Sequence, residues 1–202
     1  MFTGLVEALG TVRAVEKRGR DRRIVIDAGA KFLKSARPGD SISCNGVCLT
    51  VANKRGRRFA ADVSVETLDA TTAGTWFVGT RLNLEPALTL AKPLGGHLVS
   101  GHVDGTGRLT ARTADARSVR MRFSVPKVLA RYVARKGSIC VDGVSLTVNE
   151  AGQRGASNGF GVNIVPHTLR HTTLGLLTPG DPVNLEVDLL ARYLERLRKG
   201  NS

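Results

Sequence analysis

Three residues pair a reactive or titratable side chain with a recurring glycine-bearing setting: Cys48 in NGVCLTV, Ser145 in DGVSLTV and His102 in SGHVDG. An imidazole titrates near neutrality and can move protons without a metal. A cysteine can add to an electrophilic carbon or only form part of a polar pocket wall. A lone buried cysteine is usually inert, and Ser145 in the matching place means that a hydroxyl is accepted there. Ser41 could activate water or stabilise an adduct, or simply serve the turn, since its copy Ser138 has the same identity. For His102 taken alone, a structural histidine in a turn is the commoner fate. His97 ranks below it, since it could as well cap a linker.

These residues recur because the chain is a duplication. FTGLVEALG near the start aligns with VSGHVDGTG at 99–107, an offset of 97. The same offset brings SISCNGVCLTV (41–51) onto SICVDGVSLTV (138–148), and 7 of 13 positions are identical over residues 39–51. A third block continues at offset 101, where ETLDATTAG (66–74) meets HTLRHTTLG and LNLE (82–85) meets VNLE. The four added residues fall in NEAGQRGASNG (149–159), whose polar, glycine-rich character predicts a hairpin loop. Differences between the copies change chemistry at equivalent places: Leu5 meets His102, Cys48 meets Ser145, Asp62 meets Asn163 and Glu66 meets His167. Two related pockets, one with added reactive groups, follow from this pattern.

Each half contains five or six short Val-, Ile-, Leu- and Thr-rich runs separated by turn residues, which predicts a small β-barrel or sandwich. Helical turns are expected at 30–37 and at 126–137, with Pro126 near a helix start, and a short helix in each TL-containing block. The linker TLAKPLGG divides the halves. The predicted units are residues 1–97, residues 98–187 and a C-terminal segment, 188–202. That segment carries Leu190, Tyr193, Leu194 and Leu197 at helical spacing. It either docks on its own domain or joins copies of the chain.

The composition narrows the function. The 202 residues carry 30 basic and 17 acidic side chains, for a net charge of +13. This raises a nucleic-acid reading, but the excess is split evenly, with 15 basic against 9 acidic residues up to position 97 and 15 against 8 beyond it. Aromatic residues make up only 4%, thin for stacking on single strands. No run approaches a membrane span, and MFTGLVEALG lacks the charged and apolar regions of a signal peptide, so neither a membrane nor nucleic acid is an expected partner. Three cysteines without a CxxC pair argue against a disulfide scaffold or a cysteine-rich zinc site, and the cytoplasm is the default location.

MFTGLVE, NGVCLTV, GGHLVSGHVDGTG, DGVSLTV and the paired TL blocks together resemble the riboflavin synthase family, over essentially the whole chain. The resemblance implies an all-β chain of two tandem six-stranded Greek-key barrels plus a C-terminal helix. It implies a homotrimer whose active site lies between barrels of neighbouring subunits, association with lumazine synthase, and no metal or redox cofactor. The implied reaction transfers four carbons between two molecules of 6,7-dimethyl-8-ribityllumazine, giving riboflavin and 5-amino-6-ribitylaminouracil. By the same resemblance, one barrel's contacts are Gly4, Leu5, Val6, Cys48, Leu49, Thr50 and the run Asp62, Val63, Ser64, Val65, Glu66, Thr67. The other's are Gly101, His102, Val103, Ser145, Leu146, Thr147 and the run Asn163, Ile164, Val165, Pro166, His167, Thr168. Lys136 is expected to reach a neighbour's site, Phe2 to cover a ligand ring and Glu186 to support the site from behind. Strand-edge amides with Thr50 and Thr147 can pair with a pyrimidinedione edge, and Asp62, Glu66 and Asn163 with ribityl hydroxyls. Cys48 could add to the lumazine C7. His167 departs from members with Glu in both TL blocks and leaves open whether the two ribityl sites are alike. A non-catalytic lumazine- or flavin-binding relative and an oligonucleotide-binding double barrel are the competing readings.

Overall fold

The computed structural model describes residues 1–154 and 157–200. The first repeat folds into strands β1 (Ala8–Arg18), β2 (Asp21–Asp27), β3 (Ser41–Cys44), β4 (Val47–Thr50), β5 (Asn53–Arg55), β6 (Arg58–Val63) and β7 (Arg81–Pro86), with helix α1 (Val65–Ala70) before β7. They form a curled seven-stranded sheet of order β4-β3-β7-β1-β2-β6-β5. The second repeat gives β8 (Gly105–Asp115), β9 (Ser118–Ser124), helix α2 (Lys127–Ala130), β10 (Ser138–Val141), β11 (Val144–Arg154), β12 (Ser157–Ile164), helix α3 (Pro166–His171) and β13 (Pro182–Val187). Its sheet is a closed six-stranded barrel. The strand counts differ because β4 and β5 together correspond to the single bulged strand β11, so both halves follow one plan.

The cores match through the repeat. Val12, Ile24, Ile26, Phe59, Ala61, Val63, Leu82 and Leu84 are buried in the first barrel. Leu109, Met121, Phe123, Phe160, Val162, Ile164, Val183 and Leu185 occupy the same places in the second. Alternation along each strand sends these side chains inward and the polar ones out. Where Ile26 faces Phe59 across the first barrel's strands, Phe123 stacks on Phe160 with ring centroids 5.5 Å apart in the second.

Three local expectations change. The four-residue insertion lengthens strands rather than forming a loop: β11 runs to Arg154 and β12 begins at Ser157, paired through Gly152 and Gly159, with residues 155–156 outside the described chain. The segment 30–37 makes turns instead of a helix. There Lys54 Nζ donates to the carbonyls of Leu33 and Ala36, both at 2.8 Å, while Leu33 anchors in the core. The helix at 126–137 is shorter than expected, only Lys127–Ala130.

The halves meet through a buried polar lattice that respects their pseudo-twofold relation. Asn83 Nδ2 donates to the Asp142 carbonyl and to Thr173 Oγ1, each at 2.8 Å. Reciprocally, Asn184 Nδ2 donates to the Asn45 carbonyl at 2.8 Å, and its Oδ1 accepts from Thr72 N. The hairpin tips Asn45–Gly46 and Asp142–Gly143 touch back to back, so closely that a Cβ on Gly46 would stand 2.9 Å from Gly143 N. Asn45 Oδ1 accepts from Asn83 N, and Asp142 Oδ1 accepts from Asn184 N.

Burial pushes the Asp142 carboxyl up to about 7, against its bond from Asn184 N. The folded chain therefore holds this proton more tightly than the unfolded one, and the associated stability is lost as pH rises from about 4 to about 7. Asp142→Asn, which copies Asn45, should remove that slope and stabilise the chain at pH 8 by roughly 1–3 kcal/mol. Urea unfolding at pH 5 and pH 8 checks it; an unchanged slope would contradict the assignment.

Candidate functional site

The segments preceding the two barrels, residues 1–6 and 98–103, form paired arms between them. Phe2 and Val99 pair antiparallel, with N–H···O bonds of 2.7 and 3.1 Å. Each arm is held by a buried glutamate at the end of its own barrel's last strand. Glu85 accepts Thr3 N at 2.8 Å, Thr3 Oγ1 at 2.6 Å and Gly4 N at 2.9 Å. Glu186 accepts Ser100 N at 2.6 Å, Ser100 Oγ at 2.8 Å and Gly101 N at 2.9 Å. The next amide in each arm, Leu5 N or His102 N, donates to the hydroxyl just fixed.

The arms then cross. Ser145 N of the second barrel donates to Gly4 O at 2.8 Å, and Cys48 N of the first barrel donates to Gly101 O at 2.8 Å. Val6 packs on the second barrel's core and Val103 on the first's. Gly4 and Gly101 have φ of +74° and +81°, and a Cβ on Gly101 would lie 2.7 Å from Cys48 Cβ. Only glycine combines that backbone region with so close an approach. The expected grouping is thereby corrected. Gly4, Leu5 and Val6 belong with Ser145, Leu146 and Thr147, whereas Gly101, His102 and Val103 belong with Cys48, Leu49 and Thr50. Sequence order suggests the opposite because backbone-to-backbone crossings leave no side-chain signature.

Each strand edge meets the end of a neighbouring strand. In the first barrel Asp62–Thr67 runs from β6 into α1, with Asp62, Ser64 and Glu66 exposed and Val63 buried. Ser64 caps α1 by accepting from Thr67 N. Asp62 is bound by Arg23 through two bonds of 2.7 Å, which hold its carboxyl below the usual carboxylate range. In the second barrel Asn163, Val165 and His167 are exposed while Ile164 is buried, and Pro166 opens α3, which also holds Thr168. Thr50 and Thr147 are both exposed, at the ends of strand pairs with Ser41 and Ser138.

Two further expectations shift. Phe2 is 0% exposed, packed with Val99 and Cys140, so it has no face for a ligand ring and instead supports Gly101 from beneath. His97 is more than a linker cap. Its Nδ1 lies 2.7 Å from Ser145 Oγ, its Nε2 is buried without a partner, and burial lowers its pKa despite the charge of Asp188. His102 is exposed and directly follows Gly101, whose carbonyl accepts from Cys48 N. Lys136 lines a cavity of the second barrel together with Asn163.

Of the paired glutamates, Glu85 carries no expectation from the sequence, although LNLE and VNLE align in the repeat. Burial raises the pKa of Glu186 against the bonds from Ser100 and Gly101, whereas Glu85 also receives Lys92 Nζ at 3.0 Å. Glu186→Ala should free the His102 arm and cost roughly 3 kcal/mol, the worth of a few bonds to a charged acceptor less their replacement by water. Thermal unfolding and hydrogen exchange at Gly101 check this, and an unchanged melting temperature would contradict the clasp.

Comparison with known proteins agrees with this twofold plan. The lumazine binding domain model matches residues 3–87 and again 100–188. A riboflavin synthase of Mycobacterium tuberculosis is 45% identical over 98% of this chain and 98% of its own length. One from Photobacterium phosphoreum is 41% identical over 98% of this chain and 88% of its own. Among solved structures, LumP complexed with riboflavin superposes with a TM-score of 0.84 at 25% identity, covering 93% of this chain and 99% of LumP. LumP complexed with 6,7-dimethyl-8-(1'-D-ribityl) lumazine gives 0.82 at 24% identity, with the same coverage. With two lumazine-binding repeats and full-length relatives of one kind, the chain belongs to the riboflavin synthase family.

Proposed function

We propose that each barrel binds one 6,7-dimethyl-8-ribityllumazine at its strand edge, beneath the arm contributed by the other repeat. The activity is riboflavin synthesis: one lumazine gives four carbons to the other, yielding riboflavin and 5-amino-6-ribitylaminouracil. The observation that carries the site is the reciprocal exchange of arms, each fixed by a buried glutamate. It supports two equivalent edges, His102 belonging with the first and Leu5 with the second in this reading.

Joining two held heterocycles is mainly a matter of proximity, which can supply about 7–11 kcal/mol of the barrier. The remaining chemistry is proton transfer at the lumazine C7 methyl, activated by its own ring. Exposed on the arm whose Gly101 carbonyl accepts from Cys48 N, His102 is the acid/base group for it. His97 and Ser145 form the matching polar pair at the second edge. The LumP complex with riboflavin, at 25% identity, supports a tricyclic occupant in this fold.

In this reading the reacting pair is assembled between copies of the chain. Helix α4 (Leu189–Gly200) supports a homotrimer. Its polar side is tied to the second barrel through Arg192 with Asp104, Glu195 with Tyr132, and Glu195 with Arg131 at 3.0 Å. Its apolar side is left uncovered. The trimer's cytoplasmic location and its association with lumazine synthase complete this reading; no described helix is long and apolar enough to cross a membrane. Fluorescence titration with riboflavin tests the sites. Two flavins per chain are expected, and saturation at one would contradict two working edges.

A further inference from the structure

Equivalent positions of the two barrels differ in charge beside the strand edges. In the first, Arg23 and Asp62 stand opposite each other on β2 and β6 and close a bidentate ion pair. In the second, the same register sets Arg120 on β9 against Asn163 on β12, an amide in place of the carboxylate. Glu66 is likewise exchanged for His167. Next to Asn163 lies a cavity of about 470 Å³ whose wall includes Arg120, Arg122, Arg135 and Lys136 against one acid, Glu150.

Glu150 takes Arg122 at 3.1 Å, and Arg120 Nε bonds Asp115 on the hairpin at 2.7 Å. Among the described residues Arg135 and Lys136 have no carboxylate partner. The cavity adjoins the proposed ring site: Lys136 N donates to Val148 O at 2.7 Å, one residue beyond Thr147, and Asn149 lines the wall.

We infer that this cavity is an anion subsite that takes a phosphate monoester on the end of a ribityl chain whose ring lies at the second barrel's edge. A phosphate monoester carries about −1.5 to −2 charges near neutrality, and forked guanidinium donors match its oxygens. A ribityl hydroxyl needs no such charge, and the first barrel, which handles the same substrate, has Pro38 and Gly39 where the second has Arg135 and Lys136. The subsite would let a phosphorylated end product compete with substrate at the second barrel alone. The inference rests on the ring site proposed above.

Riboflavin and riboflavin 5′-phosphate differ only in the phosphate, so paired fluorescence titrations of the whole protein isolate it. The phosphate ester should bind about tenfold more tightly at low salt, falling toward parity near ~0.5 M salt. Arg120→Gln, at a cavity-wall position outside the ring and ribityl contacts, should erase part of the preference and leave riboflavin affinity within about twofold. Arg135→Gln, at an exposed position that tolerates substitution, should weaken only the ester. Equal or weaker binding of the ester would overturn the subsite, as would a preference untouched in both variants. Failure of riboflavin itself to bind would overturn the ring site instead.

Discussion

Alanine at position 102 is expected to slow riboflavin formation by about 10²–10⁴-fold, the usual worth of a positioned acid/base group. Lumazine affinity should stay within about threefold, because binding rests on strand amides and threonine hydroxyls that the substitution leaves in place. Folding should be nearly unaffected. The imidazole is exposed, and it is the backbone N–H that bonds Ser100 Oγ, at 3.1 Å. Single-turnover kinetics with saturating lumazine, beside thermal unfolding, separates these effects. A rate equal to that of the parent chain would remove His102 from the chemistry and leave the His97–Ser145 pair as the group to test.

The second large effect concerns assembly. Leu190, Tyr193, Leu194 and Leu197 are 61–69% exposed on one face of α4, while Arg192 and Glu195 on the other face hold the second barrel. A contiguous apolar face on a helix already anchored through its polar side is the surface proposed to meet another copy. Leu190→Asp with Leu194→Asp keeps the anchors and places two charges in that face. Sedimentation velocity should show trimers becoming monomers, and turnover should fall by more than about 100-fold as the proximity between two edges is lost. Riboflavin titration should still find both edges, since neither lies on α4. A monomer with parental turnover would contradict assembly of the reacting pair between copies. A trimer that persists would place the interface elsewhere.

The barrels were legible in the sequence because a duplicated core repeats its inward positions. Ile24 predicts Met121, Phe59 predicts Phe160 and Leu84 predicts Leu185, each at the offset of its block. Cys48, Ser145, Thr50 and Thr147 were legible for the same reason, and the paired TL blocks gave α1 and α3. The crossing of the arms was not, since it depends on backbone bonds such as Cys48 N to Gly101 O, which any residue type can make. Phe2 was misread as a ligand cover because an aromatic ring beside a glycine motif fits a buried support equally well. His97 was undervalued because its partner Ser145 is 48 residues away and the contact exists only once the arm has crossed. At 30–37 the local pattern favours helix, yet Lys54 and the buried Leu33 hold it in turns, a tertiary override of propensity.

A ligand-binding relative and an enzyme could share all of this geometry, so the most direct test is product stoichiometry. Purified chain incubated with 6,7-dimethyl-8-ribityllumazine as sole substrate, followed by chromatography, should consume two lumazines for each riboflavin and release one 5-amino-6-ribitylaminouracil. Lumazine that binds with both edges filled, yet remains unconverted over many hours, would contradict the account.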